Sequence, residues 1–386
     1  MTRVGVWLIG ARGSVATTAV LGALAVRSGA SGRTGCVTER PEFAPARLPG
    51  IGDLVFGGHD VSEIRLCKNA ERLARAGVLP AHLPPAFADE LDRTEHRLRR
   101  GLHAAATTGV GRRDVDRLEA DLREFAEREA LERVVVVDLS STEPRPEPHA
   151  EHTDADALEA ALDAGTARIP ASSAYAYAAL RAGCAFVEFT PNTGPRLPAL
   201  ARLVERSVVP WAGCDGKTGE TLVKSALAPM FAARALHVRS WSSLNLLGGG
   251  DGATLADPAN AESKLASKAR GLEHMLGHGP DGPLHIDYVP DLGDAKVAWD
   301  HVSFEGFLGA RMTLQFTWSG YDSALAAPLV LDLARLTAHA HRRGRVGPVP
   351  ELAFFFKDPV GTREHGLAEQ WRALTSWCAA PEEEAE

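Results

Sequence analysis

Short apolar runs and helical stripes alternate through the first half of the chain. VGVWLIG (4–10), DLVFGG (53–58), RVVVVDLSS (133–141) and CAFVEFTP (184–191) are rich in β-branched and aromatic residues, and each predicts a strand. Between them, 17–26, 69–77, 114–130, 154–164 and 171–182 read as helices. Strands without polar alternation, separated by helices, predict a parallel sheet covered on both faces. From about residue 217 the pattern changes. Segments 238–247, 285–290 and 304–318 predict a mostly antiparallel sheet, with helices at 219–233 and 258–276 among its strands. The stripe at 322–341 predicts a helix that returns to the first sheet.

The first strand runs into GARGSVATT (10–18), a glycine-bearing turn that opens a small-residue helix. Strand, glycine turn and helix form the first unit of a dinucleotide-binding fold. The strict GxGxxG spacing is not met, since Arg12 and Val15 take two of its glycine positions; Gly10, Gly13 and Ala16 fit GxxGxxA. Ligands of such sheets lie beyond the carboxyl ends of the strands. Those ends are GARG, GGHD (57–60), LSSTEP (139–144) and TPNTG (190–194), all small and polar. They nominate Gly10, Ala11, Arg12, Gly13, Ser14, Val15, Ser141, Thr142, Asn192 and Thr193 as cofactor contacts, with Asp60 placed to accept from ribose hydroxyls. The expectation is an α/β chain: a Rossmann-type domain from 1–216 and 322–386, and an α+β domain inserted at 217–321.

Composition narrows the partners. Net charge is −8, so there is no basic footprint for nucleic acid, and no apolar stretch is long enough to span a bilayer. The five cysteines show neither CxxC nor any metal spacing, and no metal site is expected. The N-terminal residues begin at once as a strand, without the pattern of a signal peptide. These features together predict a cytoplasmic protein. One bias stands out: seven lysines against 35 arginines, with six of the lysines between 217 and 357. Arginine serves for solubility and for holding phosphate, but it does not readily give up a proton, as a buried lysine can.

GKT at 216–218 is not an ATPase phosphate loop, because GxxxxGK would need glycine at 211, which is Trp211. Thr218, Gly219, Glu220 and Thr221 instead open a helix, whose free N–H groups suit a phosphate or simply begin a capped helix. In 257–276, Asp257 is a good N-cap, Pro258 a good first residue, and Lys264 and Lys268 border the apolar stripe. Two ammonium groups at i, i+4 beside an apolar surface repel each other and lose proton affinity. Lys296 follows the turn Gly293-Asp294-Ala295, and Lys357 follows three phenylalanines.

These segments resemble the inositol-phosphate synthase family over most of the chain. Gly213–Thr221 is similar to the family's GDDLKSGQT. Gly249–Lys268 matches NNDGxNLSxPxxxxSKxxSK through Asp251-Gly252, Leu255, Pro258, Ser263-Lys264 and Ser267-Lys268. Gly293–Asp300 is similar to GDSKVAxD, and Asp322–Leu333 to DSxLAxPLxxDL. The resemblance implies that Lys264, Lys268, Lys296 and Lys357 surround the substrate. It implies that Asp215, Asp251, Asp294 and Asp322, with Ser323, lie around substrate and nicotinamide. Thr218–Thr221, Gly249 and Gly250 would contact the substrate. The implied cofactor is NAD, and the inserted domain would also build a homotetramer.

The implied reaction is cyclisation of glucose 6-phosphate to inositol 3-phosphate by oxidation, enolisation, aldol closure and reduction. Its proton transfers and oxyanions explain why lysine rather than arginine would be kept. Departures fall on substrate contacts: Gly249-Gly250 replaces an asparagine pair, Glu220 a glutamine and Cys214 an aspartate. The same chemistry on fructose 6-phosphate would give a five-membered cyclitol. Two other classes compete: an oxidoreductase that releases NADH, and a non-catalytic NAD sensor. Four retained cluster lysines in a lysine-poor chain speak against the sensor.

Overall fold

A computed structural model describes residues 3–102, 109–257 and 271–381. Seven parallel strands form the larger sheet: β1 (Val4–Ile9), β2 (Leu54–Asp60), β3 (Leu98–Arg100), β4 (Arg133–Asp138), β5 (Ala185–Glu188), β6 (Pro210–Gly213) and β11 (Gly347–Pro348). Their order is β3-β2-β1-β4-β5-β6-β11. The chain therefore reverses direction across the sheet between β1 and β4, the switch point at which ligands of doubly wound folds bind. β1, β2 and β5 are buried at every position, as a sheet covered on both faces requires.

Five helices bear on the site. They are α1 (Ser14–Ser28), α2 (Leu66–Arg75), α3 (Gly219–Ala233), α4 (Asp322–Arg342) and α5 (Leu367–Ala379). The returning helix α4 packs on α1 and across β4, β5 and β6. It is buried along most of its length, and its Asp332 accepts from the backbone N–H groups of Val37 (2.7 Å) and Thr38 (3.1 Å).

The second sheet is four-stranded, in the order β10-β9-β7-β8, from β7 (His237–Leu247), β8 (Leu284–Tyr288), β9 (Lys296–Glu305) and β10 (Arg311–Gly320). Only the β7–β8 pair is parallel. Helix α3 covers one face, where Phe231, Val238, Trp241 and Val302 form a small core. Segment 304–318, expected as one strand, is two strands joined by a hairpin. The turn at 306–310 needs left-handed backbone at Leu308 and Gly309, and its tip carries Phe307 and Leu308 at 87% and 89% exposure. Apolar residues at a turn tip had hidden the turn. The short strands β3, β6 and β11 were not predicted, because two to four residues carry no periodicity.

Asp138 and Glu188 end β4 and β5 as in-register neighbours, both fully buried. Burial, and for Glu188 also the charge of Asp138, pushes both carboxyls up; Asp138 reaches about 6. Glu143 nearby rises to about 7, again chiefly by burial. A folded-state pKa above the unfolded value makes stability fall as pH rises between the two. For Asp138 the penalty is absent below pH 3.8 and complete above about pH 6. Asp138→Asn keeps the acceptor for the Ser140 N–H (2.8 Å) and removes the charge. Its thermal melt should show a gain over wild type at pH 8, on the order of 3 kcal/mol, and no gain at about pH 3.

Candidate active site

The turn after β1 is built for close approach. Gly10 has φ +77°, and a Cβ there would stand 2.9 Å from the Leu139 carbonyl oxygen of the neighbouring strand end. Gly13 precedes α1 in an extended conformation without a side-chain cap, which leaves the first N–H groups of the helix open. Asp60 accepts from the N–H groups of Arg12 and Ser62, each at 2.6 Å. It braces the turn rather than lining the cavity above it. The Arg12 guanidinium is also turned away, onto Glu95 (2.6 Å) and the Ser62 carbonyl (2.7 Å).

That cavity has a volume of about 360 Å³ and lies over the switch point. One wall comes from Gly10, Gly13, Ser14, Val15, Ser141 and Thr142. The opposite wall carries Asp215, Thr218, Gly249, Gly250, Asp294, Lys296, Asp322, Ser323 and Lys357. Residues nominated from both halves of the sequence thus meet in one space. Ala11, Arg12, Asp60, Asn192 and Thr193 are not part of its lining. Asn192 acts from behind, donating to Ser140 Oγ (3.2 Å) and the Ser141 carbonyl (3.1 Å) and so shaping the loop after β4. Lys264 and Lys268 lie outside the described residues, as does the side chain of Asp251.

Two amines of the described residues face this cavity, each on a carboxylate. Lys357 Nζ lies 2.7 Å from Asp215 Oδ1, and Lys296 Nζ lies 3.0 Å from Asp322 Oδ2. Thr218 Oγ1 donates to the other oxygen of Asp322 at 3.3 Å. Segments far apart in sequence make the first pair: Lys357 N–H donates to the Asp215 carbonyl at 2.7 Å, and Cys214 and Asp358 exchange backbone hydrogen bonds beside it. Each ammonium is oriented by a partner that leaves N–H groups for a ligand.

Thr218, Gly219, Glu220 and Thr221 open α3 as expected, but they do not all face the cavity. Thr218 lines the cavity, and Gly219 packs against the Trp318 ring. Thr221 faces a smaller adjoining pocket. Glu220 is buried with its carboxylate 2.5 Å from Lys224, so its charge is spent beneath the second sheet and not on a ligand. Gly249 and Gly250 leave room: a Cβ at 250 would meet nothing within 4 Å.

A profile described as myo-inositol-1-phosphate synthase matches residues 4–378. The chain belongs to that family, whose members bind NAD. Inositol-3-phosphate synthase 1 of Bacteroides thetaiotaomicron is 34% identical, across 96% of this chain and 94% of its own. Inositol-3-phosphate synthase of Trypanosoma brucei brucei is 32% identical, across 88% of this chain and 73% of its own. Among solved structures, inositol-3-phosphate synthase of Caenorhabditis elegans superposes with a TM-score of 0.87 at 23% identity, covering 98% of this chain and 85% of that one. A related protein of Thermotoga maritima gives 0.78 at 24% identity, covering 99% and 100%. These two likenesses show the fold. Among the described residues no group of side chains is suited to a metal, and no helix is long and apolar enough to cross a membrane.

NAD fits the observed wall: a glycine turn with no room for a Cβ, the open start of α1, and the loop after β4. Sequence reasoning missed Arg72, which joins the two walls. Its guanidinium donates to Ser14 Oγ (3.0 Å) on α1 and Asp294 Oδ2 (2.7 Å) before β9. Its spacing within α2 marks it only as a surface residue. The side chain is 49% exposed, so the pair is worth up to about 1 kcal/mol. Arg72→Ala should therefore raise the NAD dissociation constant two- to fivefold, as read by calorimetry, with the melting temperature nearly unchanged.

Proposed function

We propose that this chain is a cytoplasmic, NAD-dependent sugar-phosphate cyclase that converts glucose 6-phosphate to inositol 3-phosphate. The observation that carries the reading is two amines, Lys296 and Lys357, each set on a carboxylate in the same cavity as the dinucleotide turn. Bound NAD supplies a hydride acceptor that returns the hydride within one cycle, so the product is an isomer of the substrate.

The side chains then have proton and charge work to do. A hydroxyl proton leaves as the sugar is oxidised, and a carbon-bound proton leaves beside the new ketone. Two protons return, one to the aldol oxyanion and one to the reduced ketone. An amine that cycles between its neutral and charged forms can do this, and the charged form also stabilises each oxyanion. Asp215 and Asp322 orient the two amines. The open N–H groups at the start of α3, with Thr218, offer a place for the substrate phosphate.

The space over Gly249 and Gly250 favours a second reading of the substrate: the same sequence of steps on a hexulose phosphate. Incubation with NAD and a panel of hexose and hexulose 6-phosphates, with products identified by NMR, decides between them. A cyclitol phosphate without NADH accumulation at 340 nm supports the cyclase; stoichiometric NADH would make the chain an oxidoreductase. Lys264→Arg, which keeps the charge but not the proton transfer, should lower kcat at least a hundredfold. Unchanged turnover would remove Lys264 from the mechanism.

We also infer a homo-oligomer, a tetramer, assembled through the second sheet. The almost fully exposed Phe307 and Leu308 are costly to leave in water. Light scattering on the double variant Phe307→Ser, Leu308→Ser should give a smaller particle than wild type. An unchanged mass would exclude this tip from the interface.

A further inference from the structure

Lys217, a lysine for which the mechanism above has no use, is as deeply enclosed as Lys224. It is 4% exposed. Its Nζ donates to Gln370 Oε1 at 2.5 Å and lies 5.9 Å from the centre of the Phe354 ring. Among the described residues no carboxylate stands within ion-pair distance of it. Lys357, Lys296 and Lys224 all have one. Burial pulls the amine down to about 7, with only Glu364 acting the other way.

Its backbone sits in the ladder that carries the site. Lys217 N–H donates to the Phe355 carbonyl (2.8 Å), Lys357 N–H to the Asp215 carbonyl (2.7 Å), and Val360 N–H to the Gly213 carbonyl (2.9 Å). Gln370 belongs to α5, and its amide N–H donates to the Glu364 carbonyl at 2.7 Å. The lysine thus ties the turn that bears Asp215 and Thr218 to the chain on both sides of Lys357. Behind Lys357 is a pocket of about 10 Å³, room for about one water, lined by Lys217, Thr221, Lys224, His365 and Lys357 among others.

We propose that Lys217 is the positioning residue for Lys357: its buried amine, held on Gln370, clamps segment 355–360 to the turn at 213–217 and so sets Lys357 on Asp215. Arginine cannot replace it there, because a guanidinium would bring a permanent charge with no carboxylate to meet it. The kinetic arm rests on the cyclase reading; the spectroscopic arm does not.

The test uses the full chain with NAD, as wild type and as Lys217→Met, Gln370→Leu and the double variant. For Lys217→Met we expect wild-type NAD content, kcat lowered at least tenfold, and KM changed less than threefold. The double variant should be no slower than the slower single variant, since both changes release one clamp. Unchanged kcat, a loss that only follows the fraction of folded NAD-loaded protein, or additive effects would each overturn the proposal. Seven lysines also make [ε-13C]lysine NMR tractable, with the Lys357 signal assigned from Lys357→Met. The Lys357 titration should move in Lys217→Met, and an unmoved titration would overturn the clamp. If wild type turns over no sugar phosphate, the cyclase reading fails while this titration still judges the clamp.

Discussion

A carboxylate and an amine 142 residues apart in the chain meet at 2.7 Å, and the site is organised around that meeting of Asp215 and Lys357. Neither residue belongs to a long element. Asp215 follows the four-residue strand β6, with left-handed backbone at φ 61°, and Lys357 follows a short 3-10 turn (Pro350–Phe355). What holds them is a backbone ladder between two loops, reinforced by the strand pair β6–β11 on one side and by α5 on the other. Pulling the C-terminal segment away would cost those hydrogen bonds and leave their buried donors and acceptors unpaired, which is dearer than the bonds themselves. Residues 347–381 thus support the candidate site, although among the described residues only Lys357 of this segment lines the cavity.

Lysine scarcity takes on a physical meaning in this frame. The described buried or half-buried lysines fall into three electrostatic classes. Lys224 shares Glu220 (2.5 Å) and Asp300 (3.3 Å) and closes a network under the second sheet, with Ser243 and Trp241 donating to Asp300. Lys296 and Lys357 each keep one carboxylate and one open side. Lys217 keeps none. An arginine at any of these positions would hold its charge whatever surrounded it.

Much of this was legible in the sequence, for stated reasons. β1, its glycine turn and α1 are contiguous, so hydropathy and glycine spacing reported them directly. Lys296, Asp322 and Thr218 could be nominated because motifs bring their neighbours along. The limits were geometric. Arg12 and Ala11 sit inside the glycine motif, yet the guanidinium leaves the cavity for Glu95, and sequence spacing carries no information on which way a side chain turns. Asp60 occupies the position of a ribose acceptor, but both of its oxygens already meet the turn's own N–H groups. Arg72 and Lys217 act through contacts with residues 222 and 153 positions away. No local pattern encodes such contacts.

Glu220 shows how a departure from a family's pattern is absorbed. An acid at the start of a helix is favoured by the dipole and would repel a phosphate brought to the same place. The fold avoids the conflict by rotation: at the second helical position the side chain points beneath the sheet, where Lys224, one turn along α3, meets it. The helix start keeps N–H groups uncapped by a side chain, and the charge is cancelled about one turn below. At Gly249 and Gly250 the departure is different: among the described residues a Cβ at 250 would meet nothing within 4 Å, and one at 249 would make only ordinary contacts with Asp294 and Gly293. Compensation inside the protein explains the first substitution. The second has no such internal partner among the described residues.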